Sequence, residues 1–150
     1  MTVTQFQRQI ADRLNADETL RKGGCRAFAE DAQDLYFEVA TQLESQEGGV
    51  AIVVATPEGE RIGDDEDGAV LFELPAVEVV CTEKPGVSRT KPENLTALRA
   101  ALRAALLLDS DELQFQRYRQ EADAQAGTLS AIATFASSVP LALTDTTPQP

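Results

Sequence analysis

The sequence predicts an α+β domain in which an antiparallel or mixed sheet of about four to five strands carries helices on one face. Apolar residues alternate along residues 76–82 as they do in a strand, and they recur at helical spacing along residues 95–108. Each of the other segments shows either the strand alternation or the helical spacing. The length of 150 residues fits one domain, predicted over residues 1–143, with residues 144–150 (TDTTPQP) as a disordered tail.

The strand at residues 76–82 is predicted to be largely buried. Its odd-numbered positions are Val77, Val79 and Cys81, and successive side chains of a strand point to opposite faces. The tripeptide Lys84-Pro85-Gly86 is predicted to end it, because proline removes a hydrogen-bond donor and glycine supplies the freedom of a turn.

The helix after this strand is predicted to begin next to Thr90. Thr90 and Glu93 match a capping box, and Pro92 falls in the first turn, where its missing N–H matters little. A stripe of leucines at three- and four-residue steps is predicted to pack against the sheet, with two alanines beside it. These residues are Leu95, Leu98, Leu102 and Leu106, with Ala101 and Ala105.

The N-terminal segment is predicted to be helical. Thr2 and Gln5 form a capping box for a helix over residues 3–15, and Asp17 caps a short turn that ends at Gly23-Gly24. A short strand or extended connection follows at residues 26–28. A second long helix is predicted over residues 31–46, with Asp31 as its cap and Glu47-Gly48-Gly49 as its end. Its buried line is predicted to be Leu35, Val39 and Leu43, with Tyr36 and Ala40 beside it.

Residues 50–56 (VAIVVAT) are apolar almost throughout, which is typical of a strand buried on both faces. Pro57-Glu58-Gly59 is predicted to end this strand, and residues 58–68 (EGERIGDDEDG) are predicted to form a solvated acidic loop. A calcium loop is the alternative, although the alternating oxygen ligands of an EF-hand are missing. A strand follows at residues 70–74, and Pro75 indicates a sheet edge or a bulge.

The C-terminal third is predicted to close the sheet. Residues 113–121 alternate as a strand, although the stretch to Ala126 also tolerates a helix. Gly127 marks a turn before the last long strand at residues 128–137 (TLSAIATFAS), which residues 139–143 extend past a proline.

The composition argues against several classes of function. The chain has no histidine and no catalytic constellation, so the sequence predicts no enzyme, no cofactor and no metal. A formal net charge of −12 disfavours binding to phosphate backbones. No apolar run reaches the length of a membrane span or forms a signal peptide. Cys25 and Cys81 are expected to be free thiols in a reducing compartment.

The order of elements resembles one viral family. The segments that carry the resemblance are VAIVVATP, AVEVVCTEKPG, KPENLTALRAALRAAL and the closing pair LQFQRYRQ and LSAIATFAS. Across residues 3–137 the chain resembles the tail-terminator (tail-completion) minor tail proteins of long-tailed bacteriophages. The long acidic stretch after the first strand and the helix at residues 31–46 depart from the family pattern.

The resemblance implies a structural protein of a phage or prophage tail. Six subunits would form a ring that caps the tail tube, ends its polymerisation and offers the surface that joins the head. The implied partners are other copies of the chain, the tail tube protein and a head-completion or neck protein, while DNA passes through the ring without specific binding. The implied location is the host cytoplasm during assembly and then the virion tail. A small acidic adaptor or neck-type protein that forms no ring is the alternative.

Two groups of residues are the candidate interaction sites. Asp64, Asp65, Glu66 and Asp67 are predicted to form a mobile acidic loop near a ring surface. A cyclic assembly joins two different patches, and exposed strand edges suit such a contact. The predicted edges carry Val70, Phe72 and Leu74 on one strand and Gln114, Gln116 and Tyr118 on another. Because acidic subunits repel one another, their association is expected to tighten as salt rises.

Overall fold

The computed structural model describes residues 1–44 and 48–143. Its helices are α1 (Val3–Ala16), α2 (Glu18–Lys22), α3 (Leu35–Glu44), α4 (Pro85–Ser88) and α5 (Ala97–Leu108). Its strands are β1 (Cys25–Ala29), β2 (Val50–Asp64), β3 (Val70–Glu83), β4 (Leu113–Asp123), β5 (Thr128–Ser137) and β6 (Leu141–Ala142). The predicted helix end at Glu47 and the predicted tail at residues 144–150 lie outside the described residues.

The strands form one mixed sheet in the order β1-β2-β3-β5-β4, and β6 pairs with β3 beside this path. β1 runs parallel to β2, and the other pairs are antiparallel. β5 covers residues 77–83 of β3, whereas β6 covers only Leu71 and Phe72. The predicted α+β class with a mixed sheet in a single domain is confirmed.

The main core lies on the face of the sheet that packs against α1 and α5. The predicted alternation in β3 is confirmed, because its odd-numbered apolar positions are all 0% exposed: Val77, Val79 and Cys81. α1 begins with the predicted capping box, in which Thr2 Oγ1 accepts the Gln5 N–H at 3.2 Å and the Thr2 N–H donates to the Gln5 side chain at 2.8 Å. Asp17 caps α2 as predicted. Both helix starts were therefore encoded locally.

The helix α3 covers the opposite face of β1 and β2. Its Leu43 packs there with Phe28 and Ala51, and the predicted line of Leu35 and Val39 lies against this cluster. The placement of helices on one face thus holds for α1 and α5 and does not extend to α3. An apolar strand such as the first half of β2 needs cover on both faces. Two residues predicted beside the buried line are exposed instead: Tyr36 and Ala40.

α3 begins at Leu35, later than predicted, and the cap assigned to Asp31 is wrong. The Asp31 carboxylate accepts from Arg8 at 2.6 Å and is therefore occupied by an ion pair. Asp34, just before the helix, has a φ of 58°. Because residues in this left-handed region cannot continue a right-handed helix, the helix starts after it.

α5 begins at Ala97, and the predicted capping box at Thr90 and Glu93 is wrong. Thr96 is the cap, and its hydroxyl accepts a backbone N–H at 3.2 Å. The Ala97 N–H donates to the carboxylate of Glu83 at the end of β3. The local cap at Thr96 and this contact with the end of the preceding strand together set the helix start.

The buried face of α5 is made mainly of alanine. The predicted packing of the leucine stripe holds for Leu95 and Leu98, which are partly buried against the main core, and is wrong for Leu102 and Leu106. Leu102 is 43% exposed and Leu106 is 74% exposed. The buried residues of this helix are Ala97, Ala100, Ala101, Ala104, Ala105 and Leu108. Small side chains let the helix approach β3 and β5 closely, and in a densely packed interior leucines would not fit the same space.

β2 continues through the predicted end at Pro57-Glu58-Gly59 as far as Asp64. Its pairing with β3 is irregular between Ala55 and Glu58, and Pro57 lies inside this irregularity, where a missing N–H is tolerated. The predicted loop is therefore wrong over residues 58–64, which form the outer half of a long hairpin.

Pro75 was predicted to mark either a sheet edge or a bulge. It lies within β3 at a point where the register with β2 shifts, so the bulge is confirmed. β4 and β5 match the predicted strands, and β5 has the predicted bounds. Residues 139–143 do not extend β5, because the chain turns and places β6 beside the start of β3. Among the described residues, none of the helices has the length and apolarity needed to cross a membrane.

Candidate functional site

The described part of the chain contains no group of three or more potential metal ligands. Cys25 and Cys81 are free thiols. Burial, and to a smaller extent the charge of Asp17, raises the pKa of Cys25 to about 12. Burial also raises the pKa of Cys81. Since the thiolate is the nucleophile and the metal ligand, neither cysteine is a reactive group.

Glu83 is a buried carboxylate that the sequence prediction did not single out. One of its oxygens accepts from Ser88 Oγ at 3.1 Å and from Arg89 Nε at 3.0 Å, and the other accepts the Ala97 N–H. It borders an open cavity of about 390 Å³, whose lining includes Leu98. Because both oxygens are occupied and the helix N-terminus favours a negative charge, Glu83 holds α5 against β3. The sequence did contain a signal for the burial of Glu83, because it continues the odd-numbered positions of β3, which face the core.

The four acidic candidates lie at the tip of the β2–β3 hairpin and make different contacts. Asp64 accepts from Arg61 at 3.0 Å. The Asp65 carboxylate accepts two backbone N–H groups of the turn, at 2.9 and 2.8 Å, and so closes the hairpin. Glu66 and Asp67 are exposed. The tip is therefore an acidic surface, and its mobility and its place near a ring surface stay predictions.

Val70, Phe72 and Leu74 do not form an open edge, so this prediction is wrong. β2 pairs with their strand on one side, and β6 pairs with Leu71 and Phe72 on the other. Leu74 is 2% exposed and belongs to the main core. The prediction failed because the strand that covers this side comes from residues 141–142, which are far along the chain.

Gln114, Gln116 and Tyr118 lie on β4, the terminal strand of the sheet. The start of β4 is closed, because the Phe115 N–H donates to the Asp109 carboxylate at 2.8 Å. Beyond the irregularity that follows, residues 116–123 are exposed throughout. Residues 117–123 are called the β4 edge below. Contact of these residues with another subunit stays a prediction.

The opposite end of the sheet, β1, is closed by a side chain. Asn15 accepts the Ala27 N–H at 2.8 Å and donates to the Ala27 carbonyl at 2.9 Å. One amide thus satisfies the outward-facing donor and acceptor in the middle of this strand. A second strand cannot pair at β1 without displacing it.

The outer half of β2 is open, because β1 pairs with it only as far as Val54. The next outward group, the Thr56 N–H, donates to Glu30 at 3.2 Å. Beyond it, residues 58–64 pair with β3 on one side, and no hydrogen bond from the described residues reaches their other side. Residues 58–64 are called the β2 edge below. The sheet therefore has two open edges on opposite sides.

The β2 edge carries its acidic residues on the face away from the main core. Glu58 pairs with Ala76, and Glu60 pairs with Glu73. Ala76 precedes the core residue Val77, and Glu73 precedes the core residue Leu74. Because consecutive side chains of a strand point to opposite faces, Ala76, Glu73 and the glutamates opposite them lie on the face away from the main core. No ion pair to either glutamate occurs among the described residues. Two acidic side chains are thus free on this face.

The β4 edge carries two arginines on the same face, and its two carboxylates, Glu121 and Asp123, alternate onto that face with them. Arg117 pairs with Thr134 and Arg119 with Ile132, and both partners flank the core residue Ala133. Arg119 also binds a carboxylate of β3 at 2.9 Å, whereas the described residues provide no ion-pair partner for Arg117. Arg119 also binds Glu121 at 3.1 Å. Two arginines and two carboxylates therefore balance on this face of the β4 edge, whereas the β2 edge carries two glutamates there.

Comparisons with known proteins give little beyond this geometry. No protein-family model matches the chain, and no curated protein matches its sequence. Among solved structures, a chain from the virion of a native gene transfer agent (GTA) particle is similar to it, with 12% identity and a TM-score of 0.49, over 91% of this chain and 97% of that chain. A similarity of this size supports no conclusion about function.

Proposed function

We propose that this protein is a structural subunit of a phage or prophage tail that assembles head to tail into a ring. The observation that carries the proposal is the pair of open edges on opposite sides of one sheet, with the β1 end closed. A contact between two different edges leaves a free edge on each terminal copy. Such an assembly grows until rotation between copies closes a ring.

The resemblance of the element order to tail-terminator proteins gives this ring a role. A ring of about six copies would cap the tail tube, end its polymerisation and offer the surface to which the head joins. The tube protein and a head-completion or neck protein are then its partners. No step of this role requires a reactive side chain.

The charge of the chain suits a ring through which DNA passes. The formal net charge is −12, and the exposed hairpin tip adds a local cluster of carboxylates. A negatively charged channel does not release counterions from a phosphate backbone and therefore does not retain duplex DNA. This charge supports the proposal that DNA passes without specific binding.

The test is the mass of the protein in solution across protein and salt concentrations, with negative-stain images of any large species. We expect a closed ring of about six copies with a channel wide enough for duplex DNA. Association should strengthen between about 10 and 150 mM salt, because the screening length falls from about 30 to about 8 Å. A compact dimer with a blocked centre would contradict the ring. A monomer under all conditions would favour an adaptor or neck-type protein.

A further inference from the structure

We propose that two copies of the chain form a dimer through their β4 edges, which pair antiparallel about a two-fold axis at Gln120. The dimer goes beyond the proposed ring and rests only on the residues of the β4 edge. Because one edge cannot pair with two strands at once, the dimer withholds β4 from any head-to-tail contact and competes with the ring.

The β4 edge offers a row of backbone groups without partners on its outer side. β4 is the last strand of the sheet, and β5 pairs with it along residues 117–123 on the inner side. From the described residues, no hydrogen bond reaches the outer side of this stretch. Such a row is a template for a strand of another chain, and an antiparallel ladder would satisfy it.

The charges of the β4 edge are complementary to themselves. On the face away from the main core, two arginines (Arg117 and Arg119) are followed by two carboxylates (Glu121 and Asp123). An antiparallel partner strand presents the same residues in the reverse order. With the axis at Gln120, Arg117 of each copy lies opposite Asp123 of the other. Arg119 likewise lies opposite Glu121, and opposite charges in facing positions stabilise a sheet.

The charges also select the register. A two-fold axis perpendicular to the sheet places side chains of the same face opposite one another, so the axis moves in steps of one residue. An axis at Arg119 or at Glu121 would place that residue opposite its own copy. An axis at Tyr118 would pair the two arginines with each other, and an axis at Ala122 would pair the two carboxylates. Of these five positions, the axis at Gln120 alone brings no like charges together, and like charges in facing positions are destabilising.

The other face of the β4 edge is complementary in size. Tyr118 and Gln120 lie on the main-core face, because they pair with the core residues Ala133 and Ala131. The axis places Tyr118, which is 50% exposed, opposite the small Ala122 of the other copy. The ring can therefore lie over the facing strand and lose apolar surface to the contact. The two Gln120 amides meet at the axis, where each can donate and accept a hydrogen bond.

Contacts within the chain show which pair depends on the dimer. Arg119 already binds Glu78 at 2.9 Å and Glu121 at 3.1 Å. Arg117 has no ion-pair partner in the described part of the chain. Asp123 accepts two backbone N–H groups of the following turn at 3.1 Å, both through Oδ1, so its Oδ2 is available. The pair of Arg117 with Asp123 is therefore the one to reverse.

The test measures the dimer dissociation constant by analytical ultracentrifugation. Arg117→Glu would set two carboxylates opposite each other at both ends of the contact, and Asp123→Arg would set two arginines there. Each variant should weaken the dimer by about tenfold or more. Arg21→Glu and Asp12→Arg are the controls, because they make the same changes in charge at exposed positions of α2 and α1, and they should dimerise like the wild type.

Rescue distinguishes this register from any other contact. The double variant Arg117→Glu/Asp123→Arg exchanges the two charges within one chain, so all facing pairs are opposite again and the dimer should return to within about threefold of the wild type. An equal mixture of the two single variants should form a heterodimer for the same reason. Failure of both rescues in folded variants would overturn the proposal. Urea unfolding checks the fold, because Asp123 also closes the turn after β4.

Cross-linking at the axis tests the register without changing a charge. Gln120→Cys should be joined to a second copy by a short bis-maleimide, because the two residues face each other. Gln9→Cys, at an exposed position of α1, is the control and should stay uncross-linked. The native thiols should not interfere, because Cys81 is buried and burial raises the pKa of Cys25 to about 12. Equal cross-linking of both variants would contradict the two-fold axis at Gln120.

The dimer and the proposed ring fail separately. A wild-type dimer that Arg117→Glu dissociates, with no larger species at any protein or salt concentration, would support the dimer and contradict the ring. A wild-type protein that passes from monomer to ring without a dimer would overturn the dimer and leave the ring intact. A dimer that gives way to a ring as the protein concentration rises would support both, because the larger assembly is favoured by mass action.

Discussion

Replacing Glu83 should destabilise the protein more than its single ion pair indicates. Its carboxylate is 1% exposed and accepts from Ser88, Arg89 and the Ala97 N–H. Arg89 is 55% exposed at its side chain, so its ion pair contributes less than about 1 kcal/mol. The larger effect comes from the Ser88 hydroxyl and the Ala97 N–H, whose residues are 1% and 3% exposed.

The expected order of destabilisation follows from which groups lose their partner. Glu83→Ala leaves two buried donors unsatisfied at about 1–3 kcal/mol each, which gives about 2–6 kcal/mol. Glu83→Gln keeps the shape and one acceptor but loses the charge at the helix N-terminus, which should cost about 1–3 kcal/mol. Arg89→Ala should cost less than about 1 kcal/mol, because the two buried bonds remain.

Urea unfolding followed by far-ultraviolet circular dichroism measures this order. The midpoint should fall while the slope m stays constant, since the variants change stability and not the surface exposed on unfolding. The reasoning fails if Glu83→Gln lies within about 0.5 kcal/mol of the wild type, or if Arg89→Ala is more damaging than Glu83→Gln.

Three further predictions test the packing of α5 and the states of two titratable groups. Ala104→Leu should lower the free energy of unfolding by about 1–3 kcal/mol and Leu106→Ala by less than about 0.5 kcal/mol in urea titrations; the reverse order would mean that leucines pack on the sheet. The Arg103 hydrogen bond holds the pKa of Asp17 below its usual value despite partial desolvation, so its contribution is present above about pH 4 and is lost as pH falls through the lowered pKa. Asp17→Asn should remove this part of the acid dependence of unfolding, and identical acid dependence in both proteins would refute it. Cys25, with a pKa raised to about 12, should react slowly with a thiol reagent at pH 8 until urea unfolds the chain, and rapid labelling of the native protein would contradict its burial.

The sequence by itself determined the elements whose signals are local. The capping box of Thr2 and Gln5, the cap at Asp17 and the alternation of Val77 with Val79 appear in the structure as expected. Each of these depends on groups a few residues apart, or on the two-residue period of a strand. The β4 segment with Gln116 and Tyr118 was found in the same way, because its alternating pattern indicates a strand.

Only the tertiary structure decided where α5 starts, which of its faces is buried and which edges are open. Alanines and leucines of α5 are both apolar, so helical spacing cannot choose between them, and the narrow space above β3 and β5 selects the smaller side chains. The outer half of β2 appears as a loop in the sequence, because Pro57 and Gly59 lie beside a run of carboxylates with low strand propensity. Pairing with β3 overrides that propensity. A strand edge is open only where no other segment pairs with it, and this depends on where the rest of the chain folds. β6 covers the start of β3, the Asn15 side chain covers β1, and β1 covers the first half of β2.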